Sequence, residues 1–138
     1  MRDDSCIFCK IANGDIPSAT VYENEKFRAI LDLGPASKGH TLILPKDHFK
    51  DLTELPEELC GEALHLAGRI GGAMKKELGA AGFNVVQNNG TEAGQTVFHF
   101  HVHIIPRYAG GPKMVAWEPG TTVPEEQAEI AGKLEAAL

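Results

Sequence analysis

The segment QTVFHFHVHIIPR, residues 95–107, constrains the fold more than any other part of the chain. Three of the six histidines alternate here with apolar residues, at positions 99, 101 and 103. Because side chains along a β-strand point to opposite faces in turn, the histidines share one face and the apolar residues share the other. We therefore predict a strand over residues 97–106, ended by Pro106. Its apolar face packs on the core, and its other face presents a row of imidazoles.

Two helices are predicted after residue 55. Apolar residues recur every three or four positions over residues 56–78, which is typical of an amphipathic helix, and this pattern places His65 on the solvent face. A last helix is predicted to begin at Thr122, with Glu125 placed as in a capping box. A short helical or turn segment, CIFCKIANG, is expected near the amino terminus.

Four more extended segments accompany the histidine strand. TVYENEKFRAILD indicates a β-hairpin with a polar turn at residues 23–25, GHTLILPK a third strand that stops at Pro45, and GFNVVQNNG a fourth. Strands, one long helix, more strands and then a helix indicate an α+β fold with a mainly antiparallel sheet of about five strands. We expect residues 1–138 to form a single domain.

Charge and hydropathy limit the possible partners. The net charge is −6, from 13 Lys and Arg against 19 Asp and Glu, and no basic stripe is present, so we predict no nucleic-acid partner. No run approaches the about 18 apolar residues of a membrane span, so we predict no membrane partner. The amino terminus has no signal-like pattern, and we expect a cytoplasmic location.

Three alternating histidines on one strand face allow two kinds of chemistry. All three could bind a catalytic metal ion, or one neutral imidazole could attack an electrophile while its neighbours orient it. The second hypothesis needs hydrogen-bond donors for the negative charge that develops during attack. The loop before the histidines contains four residues with such donors: Asn88, Asn89, Gln95 and Thr96. From the residues alone, both hypotheses stay open.

The cysteines also leave two alternatives. Cys6 and Cys9 form a C-x-x-C pair, and Cys60 is the third cysteine. An odd number of cysteines without a secretory signal argues against a disulfide framework. The pair is either part of a metal site or a redox dithiol, whereas Cys60 lies within the long predicted helix and fits a small buried side chain.

HFHVHII fits the pattern His-φ-His-φ-His-φ-φ, where φ is apolar, and the chain resembles the histidine triad (HIT) family in its bacterial Hint-like branch. The likeness extends over CIFCKI, GDIPS, ILDLGPASKGHTLILPK, NNG and GQTVFHFHVHIIPR, which cover roughly residues 5 to 110. This resemblance implies a HIT-like fold, a homodimer, and binding of purine nucleotides with transfer or hydrolysis of the nucleotidyl group.

The resemblance also implies roles for individual residues. His101 would be the nucleophile that forms a covalent nucleotidyl-histidine, and His40 would relay protons to it. The phosphate would be contacted by His103, Asn88, Gln95 and Thr96. Asp32 would accept hydrogen bonds from the ribose hydroxyls. The base would lie between apolar walls, for which ordinary core packing is the alternative: Phe8, Ile11, Ile16, Ile30 and Leu33.

In the same branch, a C-x-x-C pair can hold a structural zinc ion. The resemblance implies that Cys6 and Cys9 bind zinc together with His48 and His99. A Cys₂His₂ set forms a closed tetrahedral site, which suits a structural rather than a catalytic metal. Family members also use the carboxyl-terminal region to reach the partner subunit, and Trp117 lies in that region, but packing within one subunit explains it equally well.

These inferences lead to three functional hypotheses. The first is a hydrolase that cleaves purine nucleoside 5′-phosphoramidates, such as adenylyl-amines, through His101. The second is a dinucleoside polyphosphate hydrolase, which would use the same intermediate with a phosphate leaving group. The third is a zinc-stabilised nucleotide-binding protein that acts through contacts with other proteins.

Overall fold

A five-stranded antiparallel sheet forms the centre of the computed structural model, which describes residues 1–113 and 117–138. The strands are β1 (Thr20–Glu23), β2 (Phe27–Leu31), β3 (Thr41–Pro45), β4 (Gly82–Val86) and β5 (Val102–Arg107). They lie in the order β1-β2-β3-β5-β4. The histidine-bearing strand β5 is therefore an inner strand, held by β3 on one side and β4 on the other.

The described part of the chain contains three α-helices: α1 (Ile7–Ala12), α2 (Glu57–Leu78) and α3 (Pro124–Ala137). Two single-turn 3₁₀ helices, Leu52–Glu54 and Thr91–Ala93, lie in the loops. Helix α2 buries its apolar stripe against one face of the sheet, and His65 lies exposed on its other side, as predicted. Helix α1 packs on the opposite face of the sheet, against Ile30, Leu42 and Leu44. The predicted α+β fold, with a mainly antiparallel sheet of five strands, is confirmed.

Alternation along the strands decides which side chains face α2 and which face α1. Ile43 lies opposite Val102 on the α2 face, and both belong to the main core. Leu42 lies opposite His103, so this histidine is on the α1 face. Burying an aliphatic side chain contributes about 1.5–3 kcal/mol, and a shift of one residue would exchange the two faces. The core therefore fixes the register that presents the histidines.

A close contact joins α2 to the edge strand β4. A Cβ atom on Gly71 would lie 2.3 Å from Cζ of Phe83, so only glycine lets this ring lie against the helix. Helix α2 ends at Leu78 and is capped by Gly79, whose φ of 71° is in the left-handed region that favours glycine.

The predicted strand over 97–106 is wrong at both ends, since β5 begins only at Val102. Strand β3 ends at Pro45 and pairs with β5 only through Thr41–Ile43. The N–H of Phe100 donates to the carbonyl oxygen of Phe49 at 2.6 Å rather than to β3. Pro106 does not end the strand. Pairing with β3 stops at Ile104, opposite Thr41, whereas Pro106 still pairs with Phe83 of β4. The carbonyl oxygen of Pro106 accepts from Ser37 Oγ at 2.5 Å. The first two histidines thus precede the paired part of the strand.

The start of the last helix also differs from the prediction. Val123 is the N-cap, Pro124 is the first helical residue, and no side chain caps the helix. Because Thr122 precedes the cap, its hydroxyl accepts from Gln127 Nε2 at 3.1 Å instead of closing a capping box with Glu125. Over residues 1–113 and 117–138, no helix is both long and apolar enough to cross a bilayer.

Candidate active site and metal centre

The three histidines lie on the α1 face of the sheet, where their burial differs. His99 is fully buried and His101 is 8% exposed, whereas His103 is half-buried. The ring of Phe8, from α1, meets the His101 ring edge to face at 5.0 Å between centroids and also contacts His99. Helix α1 therefore covers the two histidines that precede the paired part of β5.

The hydrogen bonds of His101 determine which nitrogen carries its proton. Nδ1 lies 2.7 Å from the carbonyl oxygen of His99, which can only accept, so Nδ1 is protonated and Nε2 keeps its lone pair. Nε2 has no hydrogen-bond partner among the described residues. Because every side-chain nitrogen or oxygen atom that is fully buried in this part of the chain does have a partner, Nε2 is not fully buried and is accessible. Burial lowers the pKa of His101, with the bond to His99 opposing the shift, and the ring is neutral at pH 7.

A chain of hydrogen bonds sets the tautomers of His40 and His103 in the same way. The backbone N–H of Ala36 donates to His40 Nδ1 at 3.0 Å, so His40 is protonated on Nε2. That nitrogen donates to His103 Nδ1 at 2.9 Å, which leaves His103 with a proton on Nε2 to donate elsewhere. Burial lowers the pKa of both rings, that of His103 to about 4, helped by the neighbouring His101 and His40. Both are neutral donors at pH 7.

Asp32 stands at the end of this chain. Its Oδ2 lies 3.6 Å from His40 Nε2, and its Oδ1 accepts from the N–H of Gly34 at 2.8 Å. The carboxylate is about a quarter exposed, so one oxygen remains accessible to hydroxyl donors. Asp32, His40 and His103 also lie close enough to hold a cation, but the hydrogen bond between the two histidines already uses the facing nitrogens.

Four potential metal ligands converge beside α1: Cys6, Cys9, His48 and His99. Sγ of Cys6 and Sγ of Cys9 each lie 3.4 Å from His99 Nδ1, and Cys9 Sγ lies 3.5 Å from His48 Nδ1. Tetrahedral zinc with Zn–S near 2.3 Å and Zn–N near 2.0 Å requires sulfur-to-nitrogen separations of about 3.5 Å. The donor set and its spacing therefore fit a Cys₂His₂ zinc site.

The surroundings of these ligands fit a metal as well. His99 Nε2 donates to the carbonyl oxygen of Pro45 at 2.9 Å, which leaves Nδ1 unprotonated and turned toward the sulfur atoms. The backbone N–H groups of Asp3 and Cys9 donate to Cys9 Sγ and Cys6 Sγ at 3.4 Å, which suits thiolates. Burial raises the pKa of the Cys9 thiol, a cost that a bound cation would offset.

This arrangement bears on the two hypotheses for the triad. His99 belongs to the cysteine cluster, His103 is paired with His40, and His101 belongs to neither group. In the part of the chain that the structure describes, the three rings therefore do not converge on one ion. The geometry favours the nucleophile hypothesis over a three-histidine catalytic metal.

The loop before the triad contains the predicted phosphate contacts. Gln95 is buried, and both of its amide hydrogens are donated to backbone carbonyls, of Lys50 at 2.8 Å and of Val97 at 3.1 Å. Its Oε1 accepts from the N–H of Gly90 at 2.8 Å, so the side chain holds the loop and has no amide hydrogen left for a phosphate. Thr96 is exposed and Asn88 is half-buried, and their contact with a phosphate stays a prediction.

The predicted apolar walls divide by burial. Ile30 is buried, and Phe8 and Ile11 are partly buried beside it in the cluster under α1. Ile16 is half-buried. Leu33 is fully exposed, and its contact with a base stays a prediction. Trp117 is 78% exposed, so it does not pack within its own subunit.

Sequence reasoning did not identify the backbone groups that fix the imidazole tautomers. The N–H of Ala36 and the carbonyl oxygens of Pro45 and His99 each hold one ring nitrogen. Every residue has such groups, so no residue type marks them. The only available signal is the turn sequence GPASKGH, whose Gly and Pro residues bring Ala36 back toward His40.

An α+β fold that presents a buried neutral imidazole beside a histidine pair defines a protein with a histidine-based site. The sequence profile of the HIT domain matches residues 13–110, and the chain belongs to the HIT family. The matched range begins after Cys6 and Cys9.

Relatives and solved structures agree with this assignment. The chain is 49% identical to the protein hit of Bacillus subtilis over 78% of this chain and 74% of that one. It is 43% identical to an adenosine 5′-monophosphoramidase of Schizosaccharomyces pombe, over 88% and 90% of the two chains. A crystal structure of a HIT family member from B. subtilis has a TM-score of 0.90 at 42% identity, with 98% of each chain covered. A zinc-bound histidine triad protein from Mycobacterium smegmatis has a TM-score of 0.75 at 37% identity, over 97% and 98%. The predicted HIT-like fold is confirmed.

Proposed function

We propose that this HIT-family hydrolase cleaves the P–N bond of purine nucleoside 5′-phosphoramidates, such as adenylyl-amines, through His101. The observation that carries the proposal is the accessible lone pair on Nε2 of a buried, neutral ring whose other nitrogen is held by the His99 carbonyl. The adenosine 5′-monophosphoramidase among the relatives supports this substrate class.

In the first step, the Nε2 lone pair of His101 forms a bond to phosphorus. The P–N bond of the substrate breaks, and its electron pair leaves with the nitrogen, which takes a proton from solvent and departs as an amine. The ring becomes a phosphorylated imidazolium. Its positive charge is stabilised by the bond from Nδ1–H to the His99 carbonyl oxygen, 2.7 Å away.

In the second step, water attacks phosphorus and the bond to Nε2 breaks. The electron pair returns to Nε2, which restores the neutral imidazole, and the water proton is lost to solvent. The product is a nucleoside 5′-monophosphate. Because His101 is neutral at pH 7, it is ready for another cycle without losing a proton.

His103 is proposed to stabilise the phosphate oxygens that gain negative charge. Its Nε2–H is free to donate because Nδ1 accepts from His40. His40 would carry protons between solvent and the site through that contact. Thr96 and Asn88 are proposed as further donors, whereas Gln95 holds the loop that presents them.

The nucleoside is proposed to lie on the outer side of these groups. The accessible oxygen of Asp32 would accept from the ribose hydroxyls, for which a carboxylate is well suited. The base would pack on the partly buried apolar side chains under α1, with Leu33 covered only when a base is bound. The apolar contact surface consists of Phe8, Ile11, Ile16, Ile30 and Leu33.

A structural zinc ion is proposed at Cys6, Cys9, His48 and His99, where it would cross-link the amino-terminal helix to the triad segment and take no part in the reaction. The reduced cysteine pair suits a cytoplasmic location, which is proposed with it. A homodimer is also proposed, on the family resemblance.

The test compares His101→Ala with a control, His65→Ala, which removes an exposed histidine far along α2. Both variants should bind adenosine monophosphate, but His101→Ala should lose at least about a thousandfold in turnover of an adenylyl-amine. Retained turnover in His101→Ala would exclude His101 as the nucleophile. Faster turnover of diadenosine polyphosphates would exclude only the substrate class, and binding without turnover of either substrate would indicate a nucleotide-binding interaction protein.

A further inference from the structure

His99 connects the cysteine pair to the proposed nucleophile. Its Nδ1 lies 3.4 Å from Sγ of Cys6 and from Sγ of Cys9, and its Nε2 donates to the carbonyl oxygen of Pro45 at 2.9 Å. The backbone carbonyl oxygen of the same residue accepts from His101 Nδ1 at 2.7 Å. The groups that hold the His99 ring therefore also influence the acceptor that fixes the His101 tautomer.

The His99 carbonyl oxygen lies outside the paired part of the sheet. Pairing between β3 and β5 begins at Val102, and the intervening Phe100 donates its N–H to the carbonyl oxygen of Phe49. The His99 ring, in contrast, is fully buried, with a partner at each of its nitrogens. The position of the carbonyl oxygen thus depends on how the His99 side chain is anchored.

A second contact joins the cysteines to His101. Phe8 lies between Cys6 and Cys9 at the start of α1, and its ring meets the His101 ring edge to face at 5.0 Å. Sγ of Cys6 also caps this turn, since it accepts from the N–H of Cys9 at 3.4 Å. Movement of either sulfur atom therefore changes the turn that packs on the proposed nucleophile.

Cys6 and Cys9 suit reversible oxidation. Their Sγ atoms lie within 4.8 Å of each other, and residues three apart on a helical turn are neighbours, so a disulfide requires only local movement. Cys6 is partly exposed, whereas Cys9 is fully buried. An accessible thiolate beside a second, resolving cysteine is the usual arrangement of redox-sensing cysteines. Metal ligation keeps both sulfurs deprotonated, and the thiolate is the form that reacts.

We propose that Cys6 and Cys9 form a reversible oxidation site that controls His101. A hydroperoxide converts the pair to a disulfide, the ligand set loses both sulfurs together with its metal ion, and turnover falls. The proposal rests on the metal site and on the reaction proposed above. It makes the cysteines positioning residues, because they act on His101 through His99 and Phe8.

The oxidation takes two steps. The Cys6 thiolate attacks the terminal oxygen of the hydroperoxide, an S–O bond forms, the O–O bond breaks, and the departing oxygen takes a proton from solvent. The Cys9 thiolate then attacks the sulfur of this sulfenic acid, the S–S bond forms, and the S–O bond breaks. The hydroxide takes a second proton and leaves as water. Two electrons thus pass from the two thiolates to one hydroperoxide, and an external dithiol reverses the reaction by exchange.

The disulfide removes both sulfur contacts from His99 Nδ1. Helix α1 keeps its apolar contacts with Ile30, Leu42 and Leu44, so oxidation moves its first turn and does not detach the helix. The His99 carbonyl oxygen and the Phe8 ring shift with that turn. Because a displacement of about 1 Å can cost about a hundredfold in rate, we expect kcat to fall at least about tenfold.

The test treats the zinc-loaded protein with hydrogen peroxide. Peptide mapping should find a disulfide between Cys6 and Cys9, and a chromogenic chelator should detect about one zinc released per chain. The kcat for an adenylyl-amine should fall at least about tenfold, and dithiothreitol with zinc should restore it. Cys60→Ser, which lacks the third cysteine, should respond like the wild type. Cys6→His keeps a metal-binding side chain but cannot form the disulfide, so peroxide should neither release its zinc nor lower its turnover.

The tautomer of His101 gives a readout that does not depend on turnover. At a fixed, mildly alkaline pH, the NMR signals of the ring nitrogens should show a proton confined to Nδ1 in the reduced protein. In the oxidised protein they should show a mixture of both tautomers, because the acceptor for Nδ1–H has moved.

Four results would overturn the proposal. These are failure of the Cys6–Cys9 disulfide to form, a complete disulfide that leaves kcat unchanged, equal loss of turnover in Cys6→His, and a protein that binds no zinc, which would also exclude the metal site. Absence of turnover in the reduced protein would instead exclude the proposed function. The ring nitrogen signals would then decide, and signals of His101 that do not change on oxidation would overturn the proposal.

Discussion

Acidification should destabilise the protein through His103, and the structure gives the size of the effect. The folded-state pKa of His103 is lowered from 6.5 to about 4, chiefly by burial. Between these two values the unfolded chain binds more protons than the folded one, so stability rises with pH. The stabilising contribution is complete above pH 6.5 and is lost as the pH falls toward 4.

The magnitude follows from the size of the pKa shift. A difference of 2.5 pKa units corresponds to about 3 kcal/mol at most, and solvent at this half-buried ring reduces the expected value to about 2 kcal/mol. Burial is the main cause, since it disfavours the charged ring. In addition, a protonated His103 would direct a second N–H at His40 Nε2, 2.9 Å away, which is already a donor.

The assay compares the wild-type protein with His103→Gln in urea unfolding at pH values from 7.5 to 4.5. Glutamine can still accept from His40 and donate elsewhere, but it does not titrate. The wild-type free energy of unfolding should fall by about 2 kcal/mol more than that of the variant over this range. Loss of metal at low pH affects both proteins equally, because their metal ligands are identical. Parallel curves would refute a lowered pKa for His103.

Three further predictions concern the metal, the core and the nucleophile. Purified protein should contain about one zinc per chain. Cys9→Ser should abolish zinc binding and lower the melting temperature, whereas Cys60→Ser should retain the zinc. Full zinc occupancy in Cys9→Ser would contradict the ligand set. Gly71→Ala should destabilise by about 1–3 kcal/mol in chemical denaturation, because its Cβ would lie 2.3 Å from a Phe83 ring atom, while Gly72→Ala meets nothing within 4 Å and should be neutral or stabilising. Equal effects of the two would refute that packing account. Phosphoramidate turnover should persist as the pH falls through 6.5, since burial lowers the pKa of His101, and half-loss at 6.5 would show an ordinary, solvated imidazole.

The local patterns of the sequence determined the elements of the fold well. The three-to-four-residue spacing of apolar positions gave α2 almost to the residue, because one apolar stripe must face the sheet whatever surrounds it. The alternation over residues 99–104 likewise gave the two faces of β5. Both patterns depend on backbone periodicity, which is a property of the chain alone.

The ends of elements depended on neighbours that the sequence does not reveal. Strand β5 begins at Val102, opposite Ile43, although β3 continues to Pro45, because the polypeptide before Val102 is held by the distant Phe49. Likewise, the sequence showed the residue types of the proposed site, which are three histidines and a C-x-x-C pair. It did not show the different role of each histidine. That role depends on which ring nitrogen meets a carbonyl oxygen, a backbone N–H or a sulfur atom.

The sequence by itself determined the α+β class, the face that carries the histidines and the set of chemically competent residues. Only the tertiary structure decided that His99 faces the cysteines, that His101 keeps a lone pair on Nε2 and that His40 fixes the proton of His103. The physical reason is that either of the two ring nitrogens of a neutral imidazole can carry the proton. Its chemistry is set by groups brought beside it from up to 93 positions away in the chain.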